Sequence, residues 1–282
     1  MTAAARISPQ EGTPTYDLTV RRMDFEFSDE VPEYWYGNDP FRTLLLAALS
    51  AGFPPGECFF IDSVRQFRDQ ITDPELKKAI SAFIGQEAHH SKEHAGLNEL
   101  MVRRGHAVNK IENEVARLMD KLRLKLSPAE QLAHTAAIEH FTALMSEQFL
   151  LHADELESMD PQMAKLWAWH AVEETEHKAV AFDVFKAVSG DEWIRIKQML
   201  IGSVLFTLFS TRDFLSLLYA SGHFWDARMW IRGMDHFWGR KGIFRRMIPS
   251  YLKYYRRDFH PSQHDSGAQL AKIKARYLNQ TA

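Results

Sequence analysis

Residues 80–101 of the chain read ISAFIGQEAHHSKEHAGLNELM. On a helix, positions that follow one another at alternating steps of three and four lie on one face. One such set has apolar side chains at both ends and ionisable ones in its centre: Ile80, Phe83, Glu87, His90, His94, Leu97 and Met101. A stripe of this kind packs into a protein core, where a charge is costly unless it is paired or bound to a metal. This stretch therefore predicts a buried helix with a metal site at its middle.

The same arrangement recurs further along the chain. Residues 161–188 carry a second stripe with apolar ends and a polar centre: Met163, Leu166, His170, Glu174, His177, Ala181 and Val184. Each stripe contains one Glu-x-x-His unit, Glu87 to His90 in the first and Glu174 to His177 in the second. A carboxylate and an imidazole three residues apart share a helix face, so both can reach the same ion. Two helices with the same costly residues favour one shared explanation.

Two further carboxylates complete a repeating unit. Glu57 lies 30 residues before Glu87, and Glu139 lies 35 residues before Glu174. A Glu from each of two helices and a Glu-x-x-His from each of two others is the ligand set of di-iron and di-manganese carboxylate bundles. We therefore predict an all-α fold, a ferritin-like four-helix bundle with additional C-terminal helices. The oxygen-rich ligands favour two iron ions, with manganese or a mixed Mn/Fe pair as alternatives.

The predicted metal ligands form a main set and two histidines whose role the sequence leaves open. The main set is Glu57, Glu87, His90, Glu139, Glu174 and His177. His170 and His94 lie on the same stripes, and each is either a further ligand or a buried histidine that hydrogen-bonds near the site. Glu173 and Glu176 flank the second stripe and are expected either to face solvent or to support the ligands.

The chain is predicted to consist of a flexible N-terminal arm, residues 1–20, and a single helical domain, residues 21–282. The ligand bundle is expected over about 56–188 and a C-terminal helical extension over about 191–282. Predicted helices cover 40–52, 57–70, 74–104, 107–125, 128–156 and 161–188. The first ends at the breaker GFPPG of residues 52–56. Three others begin where an N-cap oxygen precedes proline, at Asp73, Ser127 and Asp160, and Gly105 and Gly190 are the expected stops.

Two segments of the C-terminal extension have an unusual composition. Met199–Phe209 and Phe214–Ala220 are strongly apolar, but Arg212 and Asp213 separate them, so two packed helices are favoured over a membrane span. Residues 238–257 interleave basic and aromatic side chains. This pattern fits a peripheral contact with an anionic membrane, and it also fits a solvated face with packing aromatics, which is the commoner case.

The bulk composition excludes several classes of function. The 282 residues carry a net charge of −3, which gives no reason to expect a nucleic-acid partner. The single cysteine, Cys58, rules out an internal disulfide, a Cys-rich zinc site and an iron centre held by four cysteines. The N-terminus lacks the apolar segment of a secretory signal. We therefore expect a cytoplasmic protein.

Several motifs resemble a bacterial family described as predicted metal-dependent hydrolases, itself ferritin-like. They are the segments SAGFPPGECFF (50–60), QEAHHSKEH (86–94), IEHFT (138–142), EETEHK (173–178) and DFHP (258–261). The resemblance runs from about Phe25 to Pro261 and implies a metal-dependent enzyme. A narrower resemblance concerns His170, Glu174 and His177, whose spacing is similar to that of di-iron arylamine N-oxygenases. It implies that His170 is an additional iron ligand.

Three functions are compatible with these residues. The first is an oxidoreductase whose di-iron centre activates O2 to oxidise a small organic substrate. Such an enzyme needs an external electron donor, because the chain has no Cys pair for an electron-transfer site of its own. The alternative is a dinuclear metal-dependent hydrolase, in which the metals activate water. A non-enzymatic ferroxidase or metal-buffering protein is the third.

Overall fold

The computed structural model describes residues 16–263 and 266–278. These residues are helical apart from turns, connecting loops and an extended N-terminal segment. Within the described part of the chain, the β-type pairing is limited to one isolated bridge between Tyr36 and Met159. The all-α prediction is therefore confirmed. Residues 1–15 of the predicted flexible arm lie outside the described residues.

Eleven α-helices, numbered in chain order, make up the described structure. They are α1 (Pro40–Arg65), α2 (Pro74–Arg103), α3 (Val108–Lys125), α4 (Pro128–Leu151), α5 (Ala153–Glu157), α6 (Pro161–His177), α7 (Val180–Val188), α8 (Glu192–Ala220), α9 (Ala227–Trp238), α10 (Ile243–Lys253) and α11 (Gly267–Ile273). Short 3-10 turns cover Arg68–Gln70 and Pro261–Gln263, and one π turn covers Lys274–Leu278.

The predicted helix starts and stops are confirmed where a cap was expected. The side chains of Asp73, Ser127 and Asp160 each accept a hydrogen bond from a backbone N–H of the first helical turn, and Ser127 also forms a capping box. Gly105 and Gly190 have φ values of 86° and 62°, in the left-handed region that favours glycine. Each glycine lies two residues beyond the last residue of its helix, Arg103 of α2 and Val188 of α7.

The predicted break at residues 52–56 is wrong, because α1 continues through Pro54 and Pro55. A proline inside a helix removes the N–H that would bond the carbonyl four residues earlier. For Pro54 that carbonyl belongs to Ser50, and the side chain of Asn98 donates to it at 3.2 Å. The side chain thus replaces the missing backbone donor. Both halves of α1 are also buried against other helices, and α1 packs on α2, α3, α4 and α8, which favours a single continuous helix.

Three other predicted boundaries need correction. The helix expected over 128–156 ends at Leu151 and is followed by the short α5, and the helix expected over 161–188 is interrupted after His177. The two packed helices expected over 199–220 are one helix, α8, in which Arg212 forms ion pairs with Asp213 and with Glu114 of α3. These pairs allow charged residues to remain in an apolar helix.

Two hydrophobic clusters enclose the ionisable side chains from opposite ends of the bundle. On α2, Ile80 and Phe83 belong to one cluster and Leu97 and Leu100 to the other, and all four are fully buried. The polar segment of α2 lies between them. The helices α1, α2, α4 and α6 pack on one another around this polar layer. The ferritin-like topology and the single-domain boundary remain predictions.

Residues 16–28 run in an extended conformation over α2, α6 and α7. Two glycines of α2 permit this close approach: a Cβ at Gly85 would lie 3.0 Å from Val20, and one at Gly96 would lie 3.1 Å from Phe27. Glycine inside a helix costs roughly 0.5–1 kcal/mol, and here it leaves room for the N-terminal segment. The last part of the predicted arm, residues 16–20, is therefore seated on the bundle.

Candidate metal centre

Four helices place the predicted ligands in one buried layer. Glu57 comes from α1, Glu87 and His90 from α2, Glu139 from α4, and the three remaining residues from α6: His170, Glu174 and His177. All are at most 4% exposed. Their ligand atoms form three overlapping clusters that could each hold a metal ion: Glu57 with His90 and His170, Glu87 with His90 and Glu174, and Glu87 with Glu139 and His177.

Two carboxylates lie between the ends of this layer. Glu87 Oε1 is 3.1 Å from His177 Nε2 and 3.6 Å from His90 Nδ1. Glu174 Oε1 is 3.5 Å from both His177 Nε2 and His170 Nε2, and 3.7 Å from His90 Nδ1. Glu87 and Glu174 therefore face both ends, one marked by His90 and His170 and the other by His177.

The inward-facing atoms of the layer are buried and, among the described residues, lack a hydrogen-bond partner. They include Glu57 Oε1, both oxygens of Glu87 and of Glu139, Glu174 Oε2, His90 Nδ1 and His177 Nε2. Buried carboxylates without partners are strongly unfavourable unless cations neutralise them. The four glutamates carry a formal charge of −4, which two divalent cations would balance. Glutamate oxygens with imidazole nitrogens suit iron or manganese.

His177 is oriented by a hydrogen bond on its far side. Its Nδ1 lies 3.0 Å from Gln86 Oε1, a carbonyl oxygen that can only accept, so Nδ1 carries the proton. The amide of Gln86 is itself fixed, because Nε2 donates to Thr19 O at 3.0 Å and to Glu176 Oε2 at 2.9 Å. Nε2 of His177 is therefore the nitrogen that faces the layer, and it would offer its lone pair to a cation in place of a proton. Such an outer partner fixes the tautomer of a metal-binding histidine.

His90 has a charged partner in the same role. Its Nε2 lies 3.2 Å from Glu173 Oε2, which leaves Nδ1 for the layer. Arg21 of the N-terminal segment forms ion pairs with Glu173 at 3.0 Å and with Glu176 at 2.8 Å. A carboxylate behind an imidazole raises its basicity as a ligand. Glu173 and Glu176 do not face solvent, because both side chains are at most 1% exposed. Of the two roles expected for them, support of the ligands therefore remains.

A chain of hydrogen bonds orients His170 through His94. Asn98 donates from Nδ2 to Ser50 O, so its Oδ1 accepts the Ser50 hydroxyl proton at 2.9 Å. The Ser50 oxygen then accepts from His94 Nδ1–H at 2.9 Å, and His94 Nε2 accepts from His170 Nδ1–H at 3.0 Å. This leaves the lone pair of His170 Nε2 directed toward Glu174. Both ring nitrogens of His94 are used in hydrogen bonds, so it supports His170 rather than facing the layer.

The carboxyl groups of the layer differ in acidity. Burial and the neighbouring charge of Glu87 raise the pKa of Glu57 well above its ordinary value. Burial and the charge of Glu174 raise the pKa of Glu139 to about 8. Burial would also raise the pKa of Glu174, but the nearby imidazole of His177, 3.5 Å away, outweighs it and lowers this pKa to about 2. Without cations, protons would therefore be shared across the layer.

The histidines fall into two pairs by charge. Burial alone would lower the pKa of His90 and His177, but the carboxylates around them outweigh it: the pKa of His90 rises to about 10 and that of His177 well above its ordinary value. Burial and nearby imidazoles lower the pKa of His170 to about 3 and that of His94 well below its ordinary value. His170 and His94 are thus neutral at pH 7, as their hydrogen-bond chain requires.

Apolar cavities reach one end of the layer. An inner cavity of about 100 Å³ is bordered by Glu57, His170 and Glu174, and otherwise mainly by apolar side chains of α1, α3, α4 and α8. A larger cavity of about 500 Å³ lies outside it, between α1, α4, α8, α9 and α10, and none of the described residues that line it is charged. Leu49 and Phe206 border both cavities. The larger cavity is therefore adjacent to the inner one, which ends at Glu57 and His170.

Some residues around the layer were missed by reasoning from sequence. Arg21 gave no signal, because it belongs to neither a stripe nor a motif, and Gln86 opens the motif of residues 86–94 but was given no role there. His134 borders the inner cavity, and burial lowers its pKa to about 4. The role of the DFHP segment also becomes visible: His260 Nε2 lies 2.7 Å from Asp183 of α7, which fastens the C-terminal loop to the bundle.

A family model described as "predicted metal-dependent hydrolase" matches residues 19–265. The chain belongs to this family. No curated protein and no solved structure matches it. The matched region includes every helix that contributes to the layer, the cavities next to it and most of the N-terminal segment that supports Glu173. Membership in a metal-dependent family agrees with the buried cluster of glutamates and histidines, and the family's description names hydrolysis as the reaction.

Proposed function

We propose that this chain is a dinuclear metal enzyme that oxidises an apolar small organic molecule with O2. The observation that carries the proposal is the set of unpartnered glutamate and histidine atoms that converge at the end of an apolar cavity. One ion would be held by Glu57, His90 and His170, and the other by Glu139 and His177, with Glu87 and Glu174 shared. Iron bound in such a set supplies O2 activation, and an external protein would supply electrons.

The residues around the site have separate tasks in this proposal. Gln86, Glu173 and His94 hold the three imidazoles in the tautomers that face the ions. The apolar walls of the inner cavity exclude water and position the substrate against the Glu57 and His170 end. Oxidation of an unactivated carbon depends more on this exclusion of water than on polar groups that recognise the substrate.

Hydrolysis is the second candidate, and the family's description favours it. A hydrolase must stabilise the charge that develops on the substrate, usually with donors aimed at an oxygen. Apart from the ligands, the polar side chains that border the inner cavity are His134, Thr142, Ser210 and Asp213. The Thr142 hydroxyl already donates to Glu139 O. The scarcity of donors in the lining is the reason that we place oxidation first.

The two reactions can be separated by their need for oxygen. The purified protein is loaded anaerobically with Fe(II), Mn(II) or Zn(II), and the bound metal is counted. Oxygen uptake is then followed with the Fe(II) form, and release of nitrophenol from nitrophenyl esters is followed without air. Glu87→Ala should lose metal and activity. Glu93→Ala is the matched control, because Glu93 is buried on the same helix but bonds the backbone N–H of Phe25 instead.

Each outcome assigns a function. Two irons per chain with oxygen uptake that Glu87→Ala abolishes would support the oxidase proposal. Ester cleavage without air, with Mn or Zn as good as Fe, would establish the hydrolase instead. Rapid oxidation of added iron, in excess of the two bound ions and with no organic product, would identify a ferroxidase. If no metal binds, the dinuclear proposal is wrong.

A further inference from the structure

The outer face of the C-terminal helices is apolar to an unusual degree. In α8, Leu200, Val204 and Leu208 recur every fourth residue and are 51–62% exposed. Among the described residues, α8 is one of two helices long and apolar enough to cross a membrane, but only 22% of its apolar 18-residue stretch is buried, against 67% for the stretch within Pro40–Gln70. Its opposite face packs on α1 and α4, so it lies along the bundle surface. It is an apolar helix with one uncovered side.

Helices α9 and α10, which line the outer cavity together with α8, also expose apolar side chains. Ile231, Met234 and Trp238 share one face of α9 and are 45–71% exposed, and Ile248 and Leu252 do the same on α10 at 44% and 58%. Exposed apolar groups that form a continuous patch mark a contact with a partner or a membrane. Together with the α8 stripe, these residues form what we call the apolar face.

Positive charge accompanies the apolar face. Residues 221–263 contain nine arginines and lysines and three aspartates, a formal charge of +6 in a chain whose total is −3. Arg232, Arg240, Lys241 and Arg245 are exposed, and none of them forms an ion pair with a carboxylate in the part of the chain that the structure describes. A second copy of this face would repel it, whereas an anionic lipid surface would attract it.

The apolar face also contains the mouth of the outer cavity. Met234, Trp238 and Ile248 line this cavity and are 44–50% exposed. The hydroxyl side chains Thr207 and Thr211, which line it from α8, are exposed as well. The outer cavity shares Leu49 and Phe206 with the inner cavity beside Glu57, so the two cavities are adjacent. The outer cavity therefore opens on the apolar face.

We propose that the apolar face of α8, α9 and α10 docks on an anionic membrane surface and that the cavity takes up a lipid-soluble, chain-like substrate from it. The docking part stands on exposure, charge and helix packing alone. The substrate part rests on the proposed function, because it requires that the end of the cavity is the reacting end. The helices lie in the membrane interface rather than across it, since their inner sides are packed on the bundle.

Docking is tested by flotation of the purified full chain with lipid vesicles. Vesicles of phosphatidylcholine with phosphatidylglycerol should carry the protein, more at low salt than at high salt, and phosphatidylcholine alone should carry less. The triple variant Arg240→Glu/Lys241→Glu/Arg245→Glu should weaken this binding by more than a hundredfold, because each basic residue at an anionic surface strengthens binding roughly fivefold. Lys77→Glu/Lys78→Glu/Lys121→Glu changes the net charge equally at exposed sites on α2 and α3, and it should bind as the parent protein does.

The apolar contribution is tested with exposed positions that do not hold the fold together. Leu208→Ser/Ile231→Ser/Leu252→Ser should abolish flotation, and Leu124→Ser, a site on α3 that is 87% exposed, should leave it unchanged. If vesicles never carry the parent protein, the docking proposal is wrong. A dimer in solution that the apolar triple variant dissociates would show that the face is an interface between copies and would overturn the proposal as well.

Uptake into the cavity is tested without metal or turnover, so that it is independent of the reaction. The fluorescent fatty acid cis-parinaric acid should bind the metal-free protein at one site, and Ser210→Phe should weaken binding at least tenfold, because Ser210 borders both cavities. A thermal melt verifies that the variant is folded. Equal binding by parent and variant would contradict uptake through this cavity, whatever reaction the centre performs.

Discussion

The replacement Gln86→Leu should weaken one metal site and spare the other. Gln86 Oε1 accepts from His177 Nδ1–H, and the ring nitrogen on the other side of His177 faces Glu87 and Glu139. Loss of an outer partner of a ligating histidine typically costs 10–100-fold in metal affinity, which corresponds to about 1.4–2.7 kcal/mol. His90 and His170 have their own partners. The affinity of the ion at their end should therefore change little.

The same replacement should also destabilise the metal-free protein. The buried Nδ1–H of His177 would lose its acceptor, at about 1–3 kcal/mol, and the two hydrogen bonds from the Gln86 amide would also be lost. Glu176 keeps Arg21 and Lys274 as partners. We therefore expect the free energy of unfolding of the metal-free protein to fall by about 3 kcal/mol.

The assay is a titration of metal-free protein with Mn(II), in which free Mn(II) is quantified by electron paramagnetic resonance. Binding should occur in two steps, of which Gln86→Leu shifts one. Gln131→Leu is the control: Gln131 is a buried glutamine of α4 that donates to Arg123 O and Leu126 O, remote from the layer. The Gln131→Leu variant should be destabilised about as much as Gln86→Leu, but its metal affinity should stay within about twofold of that of the parent protein. If the two variants bind metal equally well, the orienting role of Gln86 is refuted.

Three further replacements test the electrostatics of the layer. Glu57→Gln should change the stability of the metal-free protein by less than about 1 kcal/mol, because burial and the charge of Glu87 raise the pKa of Glu57 and so disfavour its charged form, yet it should weaken metal binding sharply in the same titration. Arg21→Met should lower the free energy of unfolding in urea by about 2–3 kcal/mol, because Glu173 would stay buried without its cation. Glu173→Gln should destabilise the Arg21→Met variant less than it destabilises the parent protein. His134 has a pKa of about 4 in the folded state against about 6.5 unfolded, so its protonation in the unfolded chain should lower stability by about 2 kcal/mol between pH 7 and pH 5. His134→Asn should remove that part of the pH dependence when urea unfolding of both metal-free proteins is compared.

The sequence predicted the helical class and the buried stripes because both depend on local periodicity. The stripes of α2 and α6 are repeated in the structure with the same apolar ends, since Ile80, Phe83, Leu97 and Met163 are all fully buried. The N-caps were equally predictable, because a side-chain oxygen followed by proline acts within a single turn.

The predictions that were wrong concerned features that depend on contacts between distant segments of the chain. The helix break at Pro54 was predicted from local rules, but a side chain 44 residues further along the chain, Asn98, bonds the carbonyl that Pro54 leaves free. The length of α8 was underestimated because Arg212 finds its partner Glu114 on α3. Gln86 and Arg21 acquire their roles only when the N-terminal segment lies across α2 and α6. The glycines at 85 and 96 were the only local sign of that segment's path.

The two ends of the layer are not equivalent, and this bears on which end meets a substrate. At one end, the outer partner of His90 is the carboxylate of Glu173, and that of His170 is the neutral imidazole of His94. At the other end, the outer partner of His177 is the amide of Gln86. The inner cavity borders Glu57 and His170, whereas neither Glu139 nor His177 lines it. An ion held at the first end would have two imidazole ligands and access to the cavity, and an ion at the second end would be enclosed by protein. The substrate that we propose to enter between α8, α9 and α10 would therefore meet the end that His90 and His170 support.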